Sequence, residues 1–261
     1  MGQLKFIQIS DLHVLQAPQK IRGIDPRARL EVAVDCIRND FADVEFCMVT
    51  GDLSDDGEVA SYQEARRILD GLPCPWHALM GNHDGRHSHA QAVLPDLPWR
   101  ADGSLQYGMD TSVGRFVVLD SSVGGDVDSG RLSASRLAFL HAELQAAQDV
   151  GSNVFLFMHH PPFNIGIDWL DKMKLENSDE FWGVLKDFPN ILHMFFGHIH
   201  RPTNGSWHGI PFSTVRATAH QVRLRLDNAA PEFTNEQPSF AVVLADDQQV
   251  VIHHHDFLKT T

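Results

Sequence analysis

Five short apolar runs, each of strand length, end directly in side chains that bind metals or move protons. Residues 4–10 end at Asp11 and His13, residues 44–50 at Gly51-Asp52, and residues 76–80 at Gly81-Asn82-His83-Asp84. Residues 154–158 end at His159-His160-Pro161-Pro162, and residues 191–196 at Gly197-His198-Ile199-His200. This repetition constrains the fold more than any other feature, because open α/β sheets bind ligands in the crevice outside the carboxyl ends of their strands. Taken singly, each ending has an ordinary explanation. GD and GN are common turn dipeptides, and one histidine after a strand is plain loop polarity. Together, in one structural context, they point to a single site built from five strand ends.

Helical patterns separate the runs. Asp25-Pro26 supplies an N-cap and a proline at the first helical position, and Leu30, Val34 and Ile37 follow on one face. Further helices are expected near 58–69, from the Ser133 cap to about 148, and near 178–187. Residues 105–110 and 115–120 read as a hairpin around Val113-Gly114, whereas 85–99 reads as irregular. Beyond Trp207 the pattern turns to β-structure, with strands at 211–215, 240–245 and 250–255 and a hairpin turn at Asp246-Asp247. Between them, 223–238 is polar and irregular, a candidate lid or oligomer-contact segment of the kind that would support a homodimer. Strands alternating with helices imply βαβ units and a largely parallel sheet, and the later hairpins imply a second sheet packed against it. The expected fold class is α/β: a two-sheet β-sandwich flanked by helices, four layers in the order αββα, as one domain over residues 1–261.

At 261 residues the chain can bury a substantial core. Its formal net charge of −13 argues against a nucleic-acid groove, which needs clustered Lys and Arg. Cys36, Cys47 and Cys74 form no CxxC pair, and the first two lie in apolar runs. Buried reduced thiols and a cytoplasmic setting are expected. The sequence enters a strand at once, without the charged leader and apolar stretch of a signal peptide. Its apolar runs are too short to span a bilayer, so no membrane partner is expected.

The ligand types at the strand ends are carboxylate, amide oxygen and imidazole, with no thiolate. They suit Mn, Fe, Zn or Co rather than a structural Cys-bound zinc. They are also too many for one tetrahedral ion, and two divalent ions sharing one carboxylate would use them. In this order, D-x-H at Asp11 and His13, GD at Asp52, GNHD at 81–84, H-x-P at His159 and GHxH at His198 and His200 resemble the motifs of the calcineurin-like metallophosphoesterases. The MHHPP form of the fourth motif and Thr218-Ala219-His220-Gln221-Val222 are similar to the bacterial class III cyclic nucleotide phosphodiesterases and glycerophosphodiesterases. This resemblance implies one ion on Asp11, His13, Asp52 and His200, and a second on Asp52, Asn82, His159 and His198. It further implies that His83 works beside the substrate and that Asp84 orients its ring.

The implied activity is hydrolysis of small phosphate diesters (3′,5′-cyclic nucleotides or glycerophosphodiesters) by a metal-bound hydroxide. His83 would neutralise developing charge or protonate the leaving alkoxide. A phosphomonoesterase or a nucleotide pyrophosphatase-like hydrolase on the same scaffold is the alternative. A non-catalytic regulatory protein on this fold would be expected to lack a ligand or His83, and none is missing. No aromatic residue beside the motifs marks a base-stacking surface. His253-His254-His255 lie in a strand and alternate between faces, so they read as structural or surface groups. His87 and His89 read as solvated loop residues, and Phe155, Phe157, Phe195 and Phe196 as core. His160 is the variable position of H-x-P, and His220 has no assigned role.

Overall fold

The computed structural model describes residues 2–125, 127–227 and 230–258. The chain begins with β1 (Leu4–Ile9), α1 (Pro26–Asp40), β2 (Phe46–Thr50), α2 (Val59–Leu69), β3 (Trp76–Leu79) and α3 (His87–Val93). Next come β4 (Tyr107–Thr111), β5 (Gly114–Val118), α4 (Ala134–Asp149), β6 (Val154–Met158), α5 (Asp168–Asp171), α6 (Ser178–Leu185) and β7 (Ile191–Phe196). The remaining strands are β8 (Asn204–Trp207), β9 (Ile210–Thr214), β10 (Gln221–Val222), β11 (Phe233–Thr234), β12 (Ser239–Ala245) and β13 (Val250–Asp256).

Local chemistry sets the helix starts. Asp25 accepts the amides of Arg27 and Ala28 at 3.1 and 3.4 Å, just before Pro26 opens α1. Ser133 accepts the Arg136 amide at 3.3 Å and so caps α4.

Two sheets form the sandwich, one ordered β13-β12-β1-β2-β3 and the other β4-β5-β6-β7-β9-β8. β1, β2 and β3 are parallel to one another, as are β5, β6, β7 and β9, while antiparallel hairpins form the edges at β13, β4 and β8. Strand alternation then builds three apolar layers. Ile7, Ile9, Cys47 and Val49 face outward onto Leu30, Val34 and Ile37 of α1 and Tyr62 and Ile68 of α2. Val117, Leu156 and Met194 face Leu140 and Leu144 of α4 and Phe181 of α6. Between the sheets lie Phe6, Phe46 and Met48 from one side and Phe116, Phe155, Phe157 and Phe195 from the other. The expected αββα order holds, and among the described residues no helix is long and apolar enough to cross a membrane.

Three segments differ from the sequence reading. Residues 85–99 contain α3, a helix with no side-chain N-cap and one buried residue, Ala90, so it carries no apolar stripe. β8 is polar and mostly exposed, and its backbone ladder with β9 defines it rather than any alternation of side chains. The 223–238 segment is not wholly irregular, because Phe233 and Thr234 pair with Val222 and Gln221.

Phe6 is fully buried at the centre of the inter-sheet layer, with its ring 5.1 to 6.1 Å from those of Phe46, Phe116, Phe157 and Phe195. Phe6→Ala should therefore cost about 3–5 kcal/mol of stability, the range for emptying a buried aromatic site. Chemical denaturation of the metal-free protein measures it, and a loss below about 1 kcal/mol would mean that this layer does not hold the sheets together.

Candidate metal centre

The five strands β1, β2, β3, β6 and β7 each deliver the side chains that follow them to one crevice. Immediately past the strand ends the backbone turns left-handed: φ is 52° at Asp11, 45° at His13, 52° at Asp52, 71° at His198 and 51° at His200. Such φ values disfavour residues with a Cβ, at roughly 1–2 kcal/mol each, and persist where the surroundings over-determine them. The surroundings here are backbone hydrogen bonds between neighbouring loops. Asp11 donates its amide to the Gly51 carbonyl at 3.1 Å, His13 to the Asp52 carbonyl at 2.9 Å, and Gly197 to the His159 carbonyl at 3.2 Å. The glycines of two motifs admit this closeness. A Cβ on Gly81 would lie 2.1 Å from Asp52 Oδ1, and one on Gly51 (φ 95°) would lie 2.3 Å from His159 Nδ1.

The predicted ligand side chains do meet. Donor atoms of Asp11, His13, Asp52 and His200 all lie within 4.8 Å of one another and are buried. Asn82 Oδ1 stands 3.2 Å from His159 Nε2 and 3.1 Å from His198 Nδ1. Asp52 Oδ2 lies between the groups, 3.5 Å from His13 Nε2 and 3.4 Å from His159 Nε2. Ligands held 2.0–2.2 Å from one ion are separated by roughly 3.0–3.6 Å, and these spacings match such edges.

The histidine tautomers suit a cation. His200 donates from Nδ1 to the His220 carbonyl at 2.7 Å, and His159 from Nδ1 to the Thr50 carbonyl at 2.8 Å. His13 donates from Nδ1 to Asp55 Oδ1 at 2.9 Å. When neutral, each therefore presents an Nε2 lone pair to the crevice, the arrangement that orients metal-binding histidines. The Nε2 atoms of His13 and His200 lie only 3.1 Å apart. Two lone pairs at that distance repel unless a cation lies between them. His198 Nε2 is buried without a hydrogen-bond partner.

Electrostatics agree. Burial works against ionisation of Asp52, yet the His159, His83 and His13 imidazoles hold its carboxyl well below the usual range. Burial likewise works against protonation of His159, yet Asp52 and Asp11 raise it to about 9. Burial pushes His13 and His198 below the ordinary imidazole value. The carboxylates draw in positive charge, and where no ion supplies it, His159 takes up a proton. The residues fit two divalent ions.

Around this set the structure revises several expectations. His83 faces the cavity, but its Nδ1 donates to the Asp55 carbonyl at 2.8 Å, and Asp84 does not orient its ring. The Asp84 carboxylate is spent on the amides of Leu53, Ser54 and Gly81 and on the Tyr62 hydroxyl, at 3.0–3.2 Å, and so locks the loops after β2 and β3 together. Sequence reasoning passed over Asp55, which holds both His13 and His83; its place three residues after Asp52 was the available signal. His160 donates from Nε2 to the Asp128 carbonyl and bonds Ser121 Oγ through Nδ1, so neither nitrogen is free for an ion. Burial pushes its pKa down to about 3. His87 lies 3.8 Å from Asp120 and His89 bonds the Gly57 carbonyl, both on α3 rather than in an open loop. The missing aromatic surface also exists. Trp169 and Phe233 line the cavity with their rings 5.9 Å apart, and the Arg22 guanidinium sits 3.3 Å above Phe233. They come from α5 and β11, outside the motifs, with no local signal.

A sandwich of this topology with a doubled O/N donor set defines a metal-dependent phosphoesterase scaffold. Residues 4–202 match the calcineurin-like phosphoesterase family, and the chain belongs to that family, which works through a dinuclear metal centre. It is 36% identical over 259 residues to a Rhodopseudomonas palustris protein named a probable cyclic nucleotide phosphodiesterase, covering 98% of this chain and 93% of the relative. It is 29% identical over 250 residues to the glycerophosphodiester phosphodiesterase GpdQ of Enterobacter lignolyticus, covering 95% and 89%. A dimetal phosphatase from Danio rerio shares the fold, with a TM-score of 0.76 at 16% identity over 98% of this chain and 97% of that one.

Protons compete with metal for these ligands. Because the metal-free His159 is raised to about 9, it is protonated at neutral pH and must lose that proton to bind an ion. Manganese affinity of the metal-free protein should therefore rise from pH 6 to pH 9, and titration calorimetry across that window should show it. A flat pH dependence would contradict the charge balance described.

Proposed function

We propose that this chain hydrolyses small phosphate diesters, with 3′,5′-cyclic nucleotides and glycerophosphodiesters as the substrate classes. One observation carries the reading: the donor crevice opens on two sides. A cavity of about 370 Å³ lies over the donors. On the His83 side it adjoins a polar space of about 270 Å³ that shares Asp55, Asn82, His83 and Asp128 with it. On the other side a space of about 320 Å³ shares Arg22, His220 and Phe233. A diester carries an organic group on each of two oxygens, and the site offers room for both. The names of the relatives support the same class.

In this reading Asp11, His13, Asp52 and His200 hold one ion, and Asp52, Asn82, His159 and His198 the other, drawn from Mn, Fe, Zn or Co. When bound, the ions supply Lewis acidity and a water acidified into a nucleophile. The rest falls to the protein. Burial works against a charged His83, but Asp52 and the Asp55 carbonyl raise its pKa, which favours the protonated ring needed to donate to the leaving alkoxide. The Asp55 carbonyl fixes its ring for that task. Trp169, Leu170, Met173 and Phe233 offer an apolar wall for one ester group, and Arg22, stacked on Phe233, offers a positive charge beside it. Phe233 lines the site, so the β11 end of segment 223–238 would serve as a lid, within one domain over residues 1–261.

The kcat/KM for bis(p-nitrophenyl) phosphate should clearly exceed that for p-nitrophenyl phosphate at neutral pH. A tenfold preference for the monoester, about 1.4 kcal/mol of transition-state stabilisation, would replace this reading with a phosphomonoesterase. His83→Ala should lower turnover about 10²–10⁴-fold while metal content stays at the wild-type level. Loss of metal in that variant would make His83 a ligand instead.

A further inference from the structure

A second constellation of metal-binding side chains lies where the end of α1 meets β13, and it shares no residue with the catalytic crevice. Cys36 and Asp40 stand four residues apart on α1 and so face the same way. Across from them His255 projects from β13, the edge strand of its sheet, at the position paired with Phe240. Cys36 Sγ lies 3.4 Å from His255 Nε2 and 3.6 Å from Asp40 Oδ2, and the three donor atoms are all within 4.8 Å of one another.

We propose that Cys36, Asp40 and His255 form a peripheral binding site for a zinc-class divalent cation, distinct from the dinuclear centre.

Both distances to sulfur fit such an ion, and rotation of the exposed Asp40 side chain can close the third edge, which lies within 4.8 Å. With sulfur at about 2.3 Å and nitrogen or oxygen at 2.0–2.2 Å, tetrahedral coordination separates neighbouring donors by roughly 3.3–3.7 Å. The three donors occupy three corners, and the exposed Asp40 side leaves the fourth to water. The imidazole is already aimed: Phe41 meets the His255 ring edge-on at 5.0 Å, and Phe240 lies 5.2 Å from it, so Nε2 faces the sulfur. One thiolate, one imidazole and one carboxylate select zinc-like ions over magnesium or calcium. This donor set also differs in kind from that of the catalytic crevice, which has no thiolate. Burial and the neighbouring Asp40 carboxylate raise the Cys36 thiol to about 11, so binding breaks its S–H bond, forms a sulfur–metal bond and releases the proton to solvent. Occupancy would pin the last turn of α1 to the edge strand β13.

Sulfur makes the test selective. Cobalt(II) at the catalytic crevice meets only oxygen and nitrogen, so a thiolate-to-cobalt charge-transfer band in the near ultraviolet reports the peripheral site alone. Titration of the full-length protein with Co²⁺ should produce that band, and Zn²⁺ should abolish it. Cys36→Ser should lack the band yet keep its phosphodiesterase activity. His255→Gln, which keeps the sulfur, should need at least about tenfold more Co²⁺ to develop it. Cys74→Ser should retain it unchanged. No charge-transfer band in the saturated wild-type protein, or an undiminished band in Cys36→Ser, would overturn the proposal.

Discussion

The buried carboxylate of Asp52 is the point on which the rest of the structure depends. Its Oδ2 stands about equally far from His13 Nε2 and His159 Nε2, at 3.5 and 3.4 Å. Its Oδ1 accepts the His83 amide at 2.9 Å. His13 follows a strand of one sheet and His159 a strand of the other, so one side chain registers the two halves of the sandwich. A buried, ionised carboxylate is tolerable only with compensating charge, and five imidazoles and a second carboxylate around it make positive charge the missing partner. Here the demand for a cation and the architecture are the same fact.

Gathering these donors has a structural cost that the fold spreads widely. Five ligand residues adopt left-handed backbone, and two glycines exist because no Cβ fits against Asp52 and His159. Asp84 offsets part of that cost. Its carboxylate gathers three amides and a tyrosine hydroxyl in a fully buried position, and burial together with the nearby Asp52 raises its pKa to about 6. This tie keeps the loops after β2 and β3 at the spacing that lets Asn82 reach the His159 and His198 side chains. Because metal binding stabilises only the folded arrangement, part of the strain is returned when ions bind.

The sequence showed the strands and their endings plainly, because each ligand follows an apolar run whose alternation the inter-sheet phenylalanines enforce. The helix starts at Asp25 and Ser133 were legible from capping chemistry. What was hidden lacked a local signature. α3 buries only Ala90, and β8 has exposed polar side chains ordered by a backbone ladder. The family resemblance implied that Asp84 orients His83, but its side chain turns back under the β2 loop, and Asp55 holds the histidine instead. Trp169 and Phe233 are separated by more than sixty residues, and only the folded chain brings their rings together, tilted at 58°, on one wall of the crevice.

The central claim is that Asp52 is shared by two metal ions in one crevice. Electron paramagnetic resonance of metal-free protein loaded with two equivalents of Mn²⁺ tests it most directly, since manganese disfavours the thiolate of Cys36. Two ions bridged by one carboxylate are exchange-coupled, so the wild-type protein should show a coupled spectrum that vanishes in Asp52→Ala. Asn82→Ala, by contrast, should leave an uncoupled signal from the Asp11, His13, Asp52 and His200 set. A spectrum of isolated ions in fully active wild-type protein would contradict the account.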